Sequence, residues 1–196
     1  KEIEIKGGNS QAVGVDVSIG SQVDNMISKA FNDFGALDIL VNNVGIGLHY
    51  SMVDTTEEDW DHVHAVNLKG PFLCSREAAK IMIQQGKGGR IINIGSTAAD
   101  NARVDAAAYC ASKFAIEAFS ESLALEVSPM GIRIIIIEPG VIATPIFEKT
   151  PVHYDKSSPY RQAMRQGGRF YRAAIPRATP PEELAKIIGE ALTDKH

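Results

Sequence analysis

Three short runs rich in β-branched residues constrain the fold of this chain more than any other feature. They are Leu37–Val41 (LDILV), Arg90–Ile94 (RIINI) and Ile132–Ile137 (IRIIII), and each follows a glycine within two residues. Runs that are apolar along most of their length are typical of strands buried on both faces of a parallel sheet. A fourth short run, Ala12–Val15, is predicted to be a further buried strand.

Helical patterns lie between these runs. Apolar residues recur at spacings of three and four over residues 23–34, and Gly35 follows where a glycine commonly ends a helix. A threonine cap, Thr55 or Thr56, followed by acidic residues predicts the start of a helix that continues to about Gln85. These patterns place one helix after each of the first two strands.

The same alternation continues to the end of the chain. The helix that ends near Gln85 has a joint at Gly70–Pro71, a long helix is expected over Asp105–Val127, and prolines and acids at Pro180 begin another. Strands that alternate with helices predict an α/β fold with a doubly wound parallel sheet. With 44% hydrophobic and 22% charged residues, the 196 residues fit one soluble domain over 1–196.

Composition gives no sign of nucleic-acid, membrane or metal binding. The net charge is -4, and no purely apolar run exceeds six residues. Cys74 and Cys110 have no metal-like spacing and fit a reducing cytoplasm, where they stay thiols. His62 and His64 stand two apart on a predicted helix, so they do not share a face. We therefore expect a cytoplasmic protein without a metal site.

The residues that follow the predicted strands are polar or glycine-rich. Parallel sheets of this class bind ligands at the carboxyl ends of their strands, so these turns are candidate cofactor contacts. Ordinary strand-to-helix turns have the same composition, and each turn taken alone leaves both interpretations open. The turns are Asp16, Asn42–Gly45, Gly95–Thr97 and Glu138–Gly140.

Tyr109 and Lys113 stand four apart on the long helix and so lie on one of its faces. A free tyrosine has a pKa near ~10, and a nearby ammonium favours the phenolate, which moves the phenol toward the working range of an acid/base catalyst. Ser96, at the end of a predicted strand, offers a hydroxyl to hold a substrate oxygen beside it. The three residues together form a candidate catalytic group.

The chain resembles the classical short-chain dehydrogenases/reductases over nearly its whole length. Six short signatures carry the resemblance, in the order and spacing of that family. They are DVS at Asp16–Ser18, NNVG at Asn42–Gly45, Asn67 in AVNLKG, Ser96 in INIGS, YCASK at Tyr109–Lys113, and PGVIAT at Pro139–Thr144.

The resemblance implies roles for four catalytic residues and a nicotinamide cofactor, NAD or NADP. Tyr109 exchanges a proton with the substrate oxygen, and Ser96 hydrogen-bonds that oxygen. Lys113 lowers the tyrosine pKa and binds the nicotinamide ribose, while Asn67 holds a water that links Lys113 to solvent. Two structural alternatives remain. Asn67 is then simply a residue at a helix kink, and Ser96 only caps the next segment.

The resemblance also implies cofactor contacts at the strand ends. Asp16 and Val17 are expected at the adenine. The structural alternative for Asn43 is that it mainly stabilises the neighbouring strand. The remaining implied contacts are Asn43, Val44 and Gly45 along the adenosine, and Pro139, Gly140, Ile142 and Thr144 around the nicotinamide and pyrophosphate.

The chain departs from the family pattern in two single residues and at its ends. Val44 replaces a usual alanine, and Gly95 replaces a serine common before Ser96. The glycine-rich phosphate turn TGxxxGxG does not occur, so the Rossmann fold is expected to lack its first two strands and its last strand. The choice between NAD and NADP depends on the second of those strands, so the sequence leaves it open. We expect the 196 residues to belong to a longer chain.

The segment 145–180 resembles the mobile substrate lid of the family. Between residues 151 and 179 it carries six basic residues against one acidic residue, Asp155. Arg161, Arg165, Arg169 and Arg172 are spaced as one basic stripe on a helix. The stripe is either a solvated face or subunit contact, or a site for an anionic substrate or carrier such as a phosphopantetheine thioester.

The sequence therefore predicts an NAD(P)-dependent oxidoreductase that interconverts an alcohol and a ketone or aldehyde. The substrate is a small molecule that the sequence does not identify, and the resemblance implies a homodimer or homotetramer. Two alternatives remain: a non-catalytic dinucleotide-binding scaffold or sensor on the same fold, and an extended-type epimerase or dehydratase that shares Tyr-x-x-x-Lys. The intact set Asn67, Ser96, Tyr109 and Lys113 favours the enzyme, and NNVG favours the classical branch.

Overall fold

A parallel sheet of three strands with helices packed against it forms the centre of the protein, and the fold is a Rossmann-like α/β fold. The computed structural model describes residues 2–145 and 159–193. The described helices and strands are α1 (Glu2–Ile5), α2 (Gly20–Phe34), β1 (Ile39–Asn42), α3 (Glu57–His64), α4 (Gly70–Gln85), β2 (Gly89–Ile94), α5 (Ala107–Val127), β3 (Ile132–Ile137), α6 (Arg161–Ala174) and α7 (Pro181–Thr193).

The strands lie in the order β1-β2-β3 and all run parallel. The central strand β2 is buried on both faces, because its consecutive residues Ile91 and Ile92 point to opposite sides and are both 0% exposed. In β1, by contrast, Ile39 and Val41 share a face and are 40% and 41% exposed. Burial on both faces, which we expected of every strand, therefore holds for the central strand and is lost on one face of β1.

Two apolar clusters fix the helices in place. The first joins the sheet to α4 and α5 through Met82, Ile91 and Val127, together with Ala78, Ala79 and Ile132. The second packs α2 onto α4 through Val23, Ile27 and Leu73. Burial of such side chains stabilises the fold by about 1.5–3 kcal/mol each.

Local signals placed the helix ends correctly. Gly35 ends α2 in the left-handed conformation, with φ 77° and its N–H donating to the Phe31 carbonyl. Thr56 caps α3, and its side chain accepts a hydrogen bond from the Asp59 N–H. The joint predicted near Gly70 is a π-helical turn over Ala65–Lys69, where the Gly70 N–H donates to the Ala65 carbonyl.

The strand predicted over Ala12–Val15 does not form. The segment carries no strand pairing among the described residues, and Val13 is 43% exposed. A strand needs a neighbouring strand that pairs with its backbone N–H and C=O groups. Among the described residues β1 pairs with β2, and no strand pairs with residues 12–15. An apolar run alone does not supply that neighbour.

A buried chain of polar side chains crosses the sheet from α4 to α5. The Asn42 amide donates to the Ser75 hydroxyl at 3.0 Å and to the Asn93 carbonyl oxygen at 2.8 Å. The Asn93 amide donates in turn to the Ser120 hydroxyl at 2.8 Å. The sequence offered Asn43 as the residue that stabilises the neighbouring strand, but Asn43 is exposed and Asn42 makes these bonds.

None of the described helices combines the length and apolar character needed to cross a bilayer.

Candidate active site

The turns that follow the three strands meet at one edge of the sheet. The register pairs Asn42 with Asn93 and Ile94 with Ile137, so the strands end within two residues of one another. Asn43–Gly45, Gly95–Thr97 and Glu138–Gly140 therefore share this edge, as the sequence predicted.

Lys113 is buried beside Tyr109 in the first turns of α5. Its side-chain nitrogen Nζ lies 5.8 Å from the centroid of the Tyr109 ring and donates a 2.8 Å hydrogen bond to the Ile94 carbonyl. Burial lowers the pKa of Lys113 from 10.5 to about 8. An ammonium that is this poorly hydrated, and this close to a phenol, attracts negative charge on the phenol strongly.

Asn67 lies in the π-helical turn and ties three segments together. Its carbonyl oxygen accepts from the Ile46 N–H at 2.8 Å, and its amide donates to the Ile46 carbonyl at 2.9 Å and to the Ser112 hydroxyl at 3.1 Å. The Ser112 hydroxyl donates to the Tyr109 carbonyl at 2.7 Å. Asn67 thus lies at a helix irregularity and also positions the loop after β1 against α5, a contact that the sequence did not predict for Ser112.

Ser96 is 5% exposed and begins a tight turn after β2. Its hydroxyl oxygen accepts a hydrogen bond from the Ala98 N–H at 3.1 Å, which is the capping contact that the sequence left as an alternative. A hydroxyl that accepts through oxygen can still donate its own proton. Ala98 packs with Cys110 in an apolar cluster that Tyr109 also contacts, so this turn adjoins the start of α5.

The Asp16–Val17 segment is fixed against the start of α4. A Cβ on Gly70 would lie 2.8 Å from the Val17 side chain, so only glycine admits this contact. The Asp16 carboxylate accepts from the Ser18 hydroxyl at 2.7 Å and from the Ser18 N–H at 2.9 Å. These hydrogen bonds lower the pKa of Asp16, and the charges of His62 and Lys69 lower it further.

Gly45 brings the loop after β1 close to the catalytic candidates. A Cβ on Gly45 would lie 3.6 Å from the Asn67 carbonyl oxygen and 3.7 Å from Lys113 Nζ. At Gly140 none of the described residues has an atom within 4 Å of the corresponding position. Asn43 and Val44 are exposed on this edge.

The segment after β3 is held by a short contact with the chain near α7. Ile142 forms an isolated parallel bridge with Thr179, Pro139 lies between β3 and this bridge, and Thr144 follows it. The structure therefore brings Gly45, Asn67, Tyr109 and Lys113 into one group, while Asp16–Val17 and Pro139–Thr144 lie along other parts of the edge. An ammonium, a carboxylate and open glycine backbone fit a dinucleotide in chemical type.

The basic segment forms a helix, α6. Arg161, Arg165 and Arg169 are all exposed along it, at the helical spacing that the sequence predicted. A Cβ on Gly167 would lie 3.9 Å from Val104, so α6 adjoins the loop before α5. Two residues named in this segment, Asp155 and the side chain of Arg172, lie outside the described residues.

A pair of carboxyl groups, Glu117 on α5 and Glu138 after β3, escaped the sequence analysis. One oxygen of Glu117, Oε1, is buried and has no hydrogen-bond partner among the described residues. The hydrogen bond with Glu138 is the main cause that raises the pKa of Glu117 from 4.5 to about 7, and burial and the charge of Glu138 add to it. The two residues are 21 apart in sequence, so no local pattern links them.

We expect Glu117→Gln to remove a pH dependence of stability. The folded state binds the Glu117 proton more tightly than the unfolded chain does, so this stabilisation is present below about pH 4.5 and is lost as the pH rises through about 7. Urea unfolding at pH 5 and pH 8 measures the difference. Glu126→Gln, at an exposed site on the same helix, should keep the parent's pH dependence; equal pH dependence in parent and Glu117→Gln would contradict the expectation.

Comparison with known proteins finds one protein family whose model matches most of this chain, and several similar proteins. The family model described as short chain dehydrogenase matches residues 1–155. A short-chain dehydrogenase/reductase of Armillaria gallica is 37% identical over 187 residues, covering 95% of this chain and 70% of its own. Galactitol 2-dehydrogenase of Agrobacterium fabrum is 32% identical, covering 96% of this chain and 75% of its own.

A solved structure resembles the described fold closely. The crystal structure of a short-chain dehydrogenase from Streptomyces avermitilis superposes with a TM-score of 0.84 at 28% identity. The match covers 100% of this chain and 70% of that one.

Proposed function

The chain belongs to the short-chain dehydrogenase family, and from that premise we propose that it is an NAD(P)-dependent oxidoreductase that interconverts an alcohol and a ketone or aldehyde. The observation that carries the proposal is the buried Lys113 ammonium, 5.8 Å from the Tyr109 ring at the ligand-binding edge of the sheet. Burial of a charge costs free energy, so an ammonium that is buried beside a phenol supports a shared function of the two groups.

In this proposal Tyr109 is the acid/base group. Removing hydride from an alcohol carbon requires loss of the hydroxyl proton, and the Tyr109 phenolate takes that proton; in reduction the phenol returns it. The Lys113 ammonium stabilises the phenolate through its charge. The Ser96 hydroxyl donates a hydrogen bond to the same substrate oxygen and so stabilises the negative charge that develops there.

Asn67 acts through the backbone in this proposal. Its bonds to Ile46 fix the loop after β1, and its bond to Ser112 fixes the first turn of α5, so the loop and Tyr109 keep one relative position. Positioning of this kind supplies rate because the reacting groups need no further ordering. The water relay that the family resemblance implies for Asn67 is part of the same proposal.

The nicotinamide cofactor supplies the hydride chemistry when it is bound. Lys113 would bind its ribose, and Asp16, with Val17 beside it, would meet the adenine. The strand-end residues would line the rest of the cofactor: Asn43, Val44, Gly45, Pro139, Gly140, Ile142 and Thr144.

Absorbance at 340 nm tests the proposal directly. The protein is mixed with NADH or NADPH and a panel of ketones and aldehydes, and with NAD or NADP and the matching alcohols. We expect turnover of at least one pair with at least one cofactor. Cofactor binding, seen as a change in nicotinamide fluorescence, without turnover of any member would support the scaffold or sensor instead.

A further inference from the structure

A buried serine on α5, Ser112, forms hydrogen bonds that link this helix to the loop after β1. Its hydroxyl oxygen accepts from the Asn67 amide at 3.1 Å, and its hydroxyl donates to the Tyr109 carbonyl at 2.7 Å. The direction of both bonds is fixed, because an amide N–H only donates and a carbonyl only accepts. Ser112 is 0% exposed, so bulk water does not reach the hydroxyl to replace either bond.

The Asn67 side chain carries this link on to the loop. Both of its amide hydrogens are used, one by Ser112 and one by the Ile46 carbonyl, and its carbonyl oxygen accepts from the Ile46 N–H. Because Asn67 is only 1% exposed, loss of the Ser112 hydroxyl leaves one of its N–H groups buried without a partner, which costs free energy. A side chain that turns to pair this N–H gives up a bond to Ile46.

The loop held in this way lies against the Lys113 ammonium. A Cβ on Gly45, the residue before Ile46, would lie 3.6 Å from the Asn67 carbonyl oxygen and 3.7 Å from Lys113 Nζ, so the loop backbone passes close to both groups. Lys113 is 6% exposed, and burial lowers its pKa. Because a poorly hydrated charge acts more strongly on its neighbours, the shelter of this ammonium bears directly on Tyr109, the phenol beside it.

We infer that Ser112 is a positioning residue: through Asn67 its hydroxyl holds the loop after β1 against Lys113 and so keeps water from the ammonium beside Tyr109. The inference rests on the proposed function for its effect on turnover. Ser112 makes no contact with substrate or cofactor, and it acts through Asn67 and the loop. The hydroxyl keeps its proton throughout, and no proton passes along the chain of bonds.

The same helix offers a matched control, Ser120. Its hydroxyl accepts from the Asn93 amide at 2.8 Å and donates to the Ile116 carbonyl at 2.6 Å, and Ser120 is also 0% exposed. Ser112→Ala and Ser120→Ala therefore remove the same group from the same kind of environment. The first hydroxyl is linked to Ile46 in the loop and the second to β2, so a difference between the two variants reports the link to the loop.

Turnover at 340 nm is compared in the parent and both variants, with the substrate pair that the panel identifies. We expect kcat/KM to fall about tenfold or more in Ser112→Ala and to stay within about a factor of two in Ser120→Ala, while the urea midpoints fall by similar amounts. The pH profile of kcat/KM adds a readout of the site itself. Its limb for Tyr109 ionisation should move to higher pH in Ser112→Ala, because a better hydrated ammonium favours the phenolate less. Equal losses of rate in the two variants would overturn the inference.

Two further substitutions at the same position isolate the hydroxyl from the packing. Threonine and valine have nearly the same shape, so Ser112→Thr and Ser112→Val crowd the buried site alike and differ in the hydroxyl. In a helix a threonine hydroxyl bonds a carbonyl three or four residues back, as Ser112 does. We expect Ser112→Thr to exceed Ser112→Val in kcat/KM by about fivefold or more. Equal rates in these two variants would show that the hydroxyl has no positioning role.

Measurements without substrate decide the inference even if the parent turns over no carbonyl compound, an outcome by which the proposed function fails. Amide hydrogen exchange at Ile46 follows its bond to Asn67, and the pH titration of Lys113, labelled with 13C at Cε, follows the hydration of the ammonium. In Ser112→Ala we expect faster exchange and a Lys113 pKa that moves from about 8 toward 10.5, with neither change in Ser120→Ala. A Lys113 pKa equal to the parent's in Ser112→Ala, or an equal shift in both variants, would overturn the inference and leave the proposed enzyme in place.

Discussion

Tyr109→Phe is expected to lower kcat/KM by roughly 10²–10⁴-fold, the usual contribution of one general acid/base group. The substitution removes only the phenol oxygen. The ring stays in the apolar cluster with Ala98 and Cys110, and Lys113 keeps its bond to the Ile94 carbonyl. The steady-state rate at 340 nm measures the loss.

The same variant must be shown to fold and to bind. We expect its far-UV circular dichroism and its urea midpoint to stay close to those of the parent. We also expect it to bind the cofactor, as measured by titration of nicotinamide fluorescence. Turnover within a factor of ten of the parent, in a variant that is folded, would overturn the role proposed for Tyr109.

Lys113→Met is expected to lower activity by about 100-fold or more, because the phenol loses the charge that favours its ionised form. Methionine is similar in length and apolar, so it fits the buried channel that the lysine stem occupies. The activity loss is again measured at 340 nm, at saturating and at limiting cofactor concentration, which separates catalysis from ribose binding.

In the parent, the contribution of Lys113 to stability should respond to pH in the opposite sense from that of Glu117. The folded pKa of Lys113, about 8, lies below the ordinary 10.5, so the unfolded chain binds the proton more tightly. Stability from this group is greatest above pH 10.5 and is lost as the pH falls through 8. The parent should gain roughly 2–3 kcal/mol relative to Lys113→Met between pH 7 and pH 10.

Urea unfolding without cofactor at the two pH values measures this difference. Lys87→Met, at an exposed lysine in the turn after α4, is the matched control and should follow the parent at both values. If parent and Lys113→Met change equally with pH, the lysine is not desolvated in solution as it is in the structure.

Local chemistry explains which parts of the fold the sequence predicted. β3 has the predicted bounds, because a β-branched run between Gly131 and Pro139 leaves few alternatives. Gly35 and Thr56 were identified because helix ends depend on single residues nearby. The segment Ala12–Val15 was assigned wrongly because strand formation depends on a partner that is distant in sequence.

The candidate site divides in the same way. The spacing of Tyr109 and Lys113 was enough to place them on one face of a helix, and the structure shows them together. The strand-stabilising role of Asn42 was assigned to Asn43 in the sequence analysis. A step of one residue along a strand reverses the face on which the side chain lies, and the sequence alone does not determine the register. Contacts such as Asn67 with Ile46 join distant segments, so no short motif contains them.

The pairing of Asn67 with Ile46 has a consequence for how such a site can diversify. The Asn67 side-chain amide forms hydrogen bonds with both the N–H and the C=O of Ile46, as one peptide group does with another. Both hydrogen bonds involve backbone atoms of Ile46. The path of the loop is thus specified by backbone groups that every residue except proline possesses. Side chains along this loop can therefore differ without changing its path, and the residues proposed to move protons keep their positions relative to it.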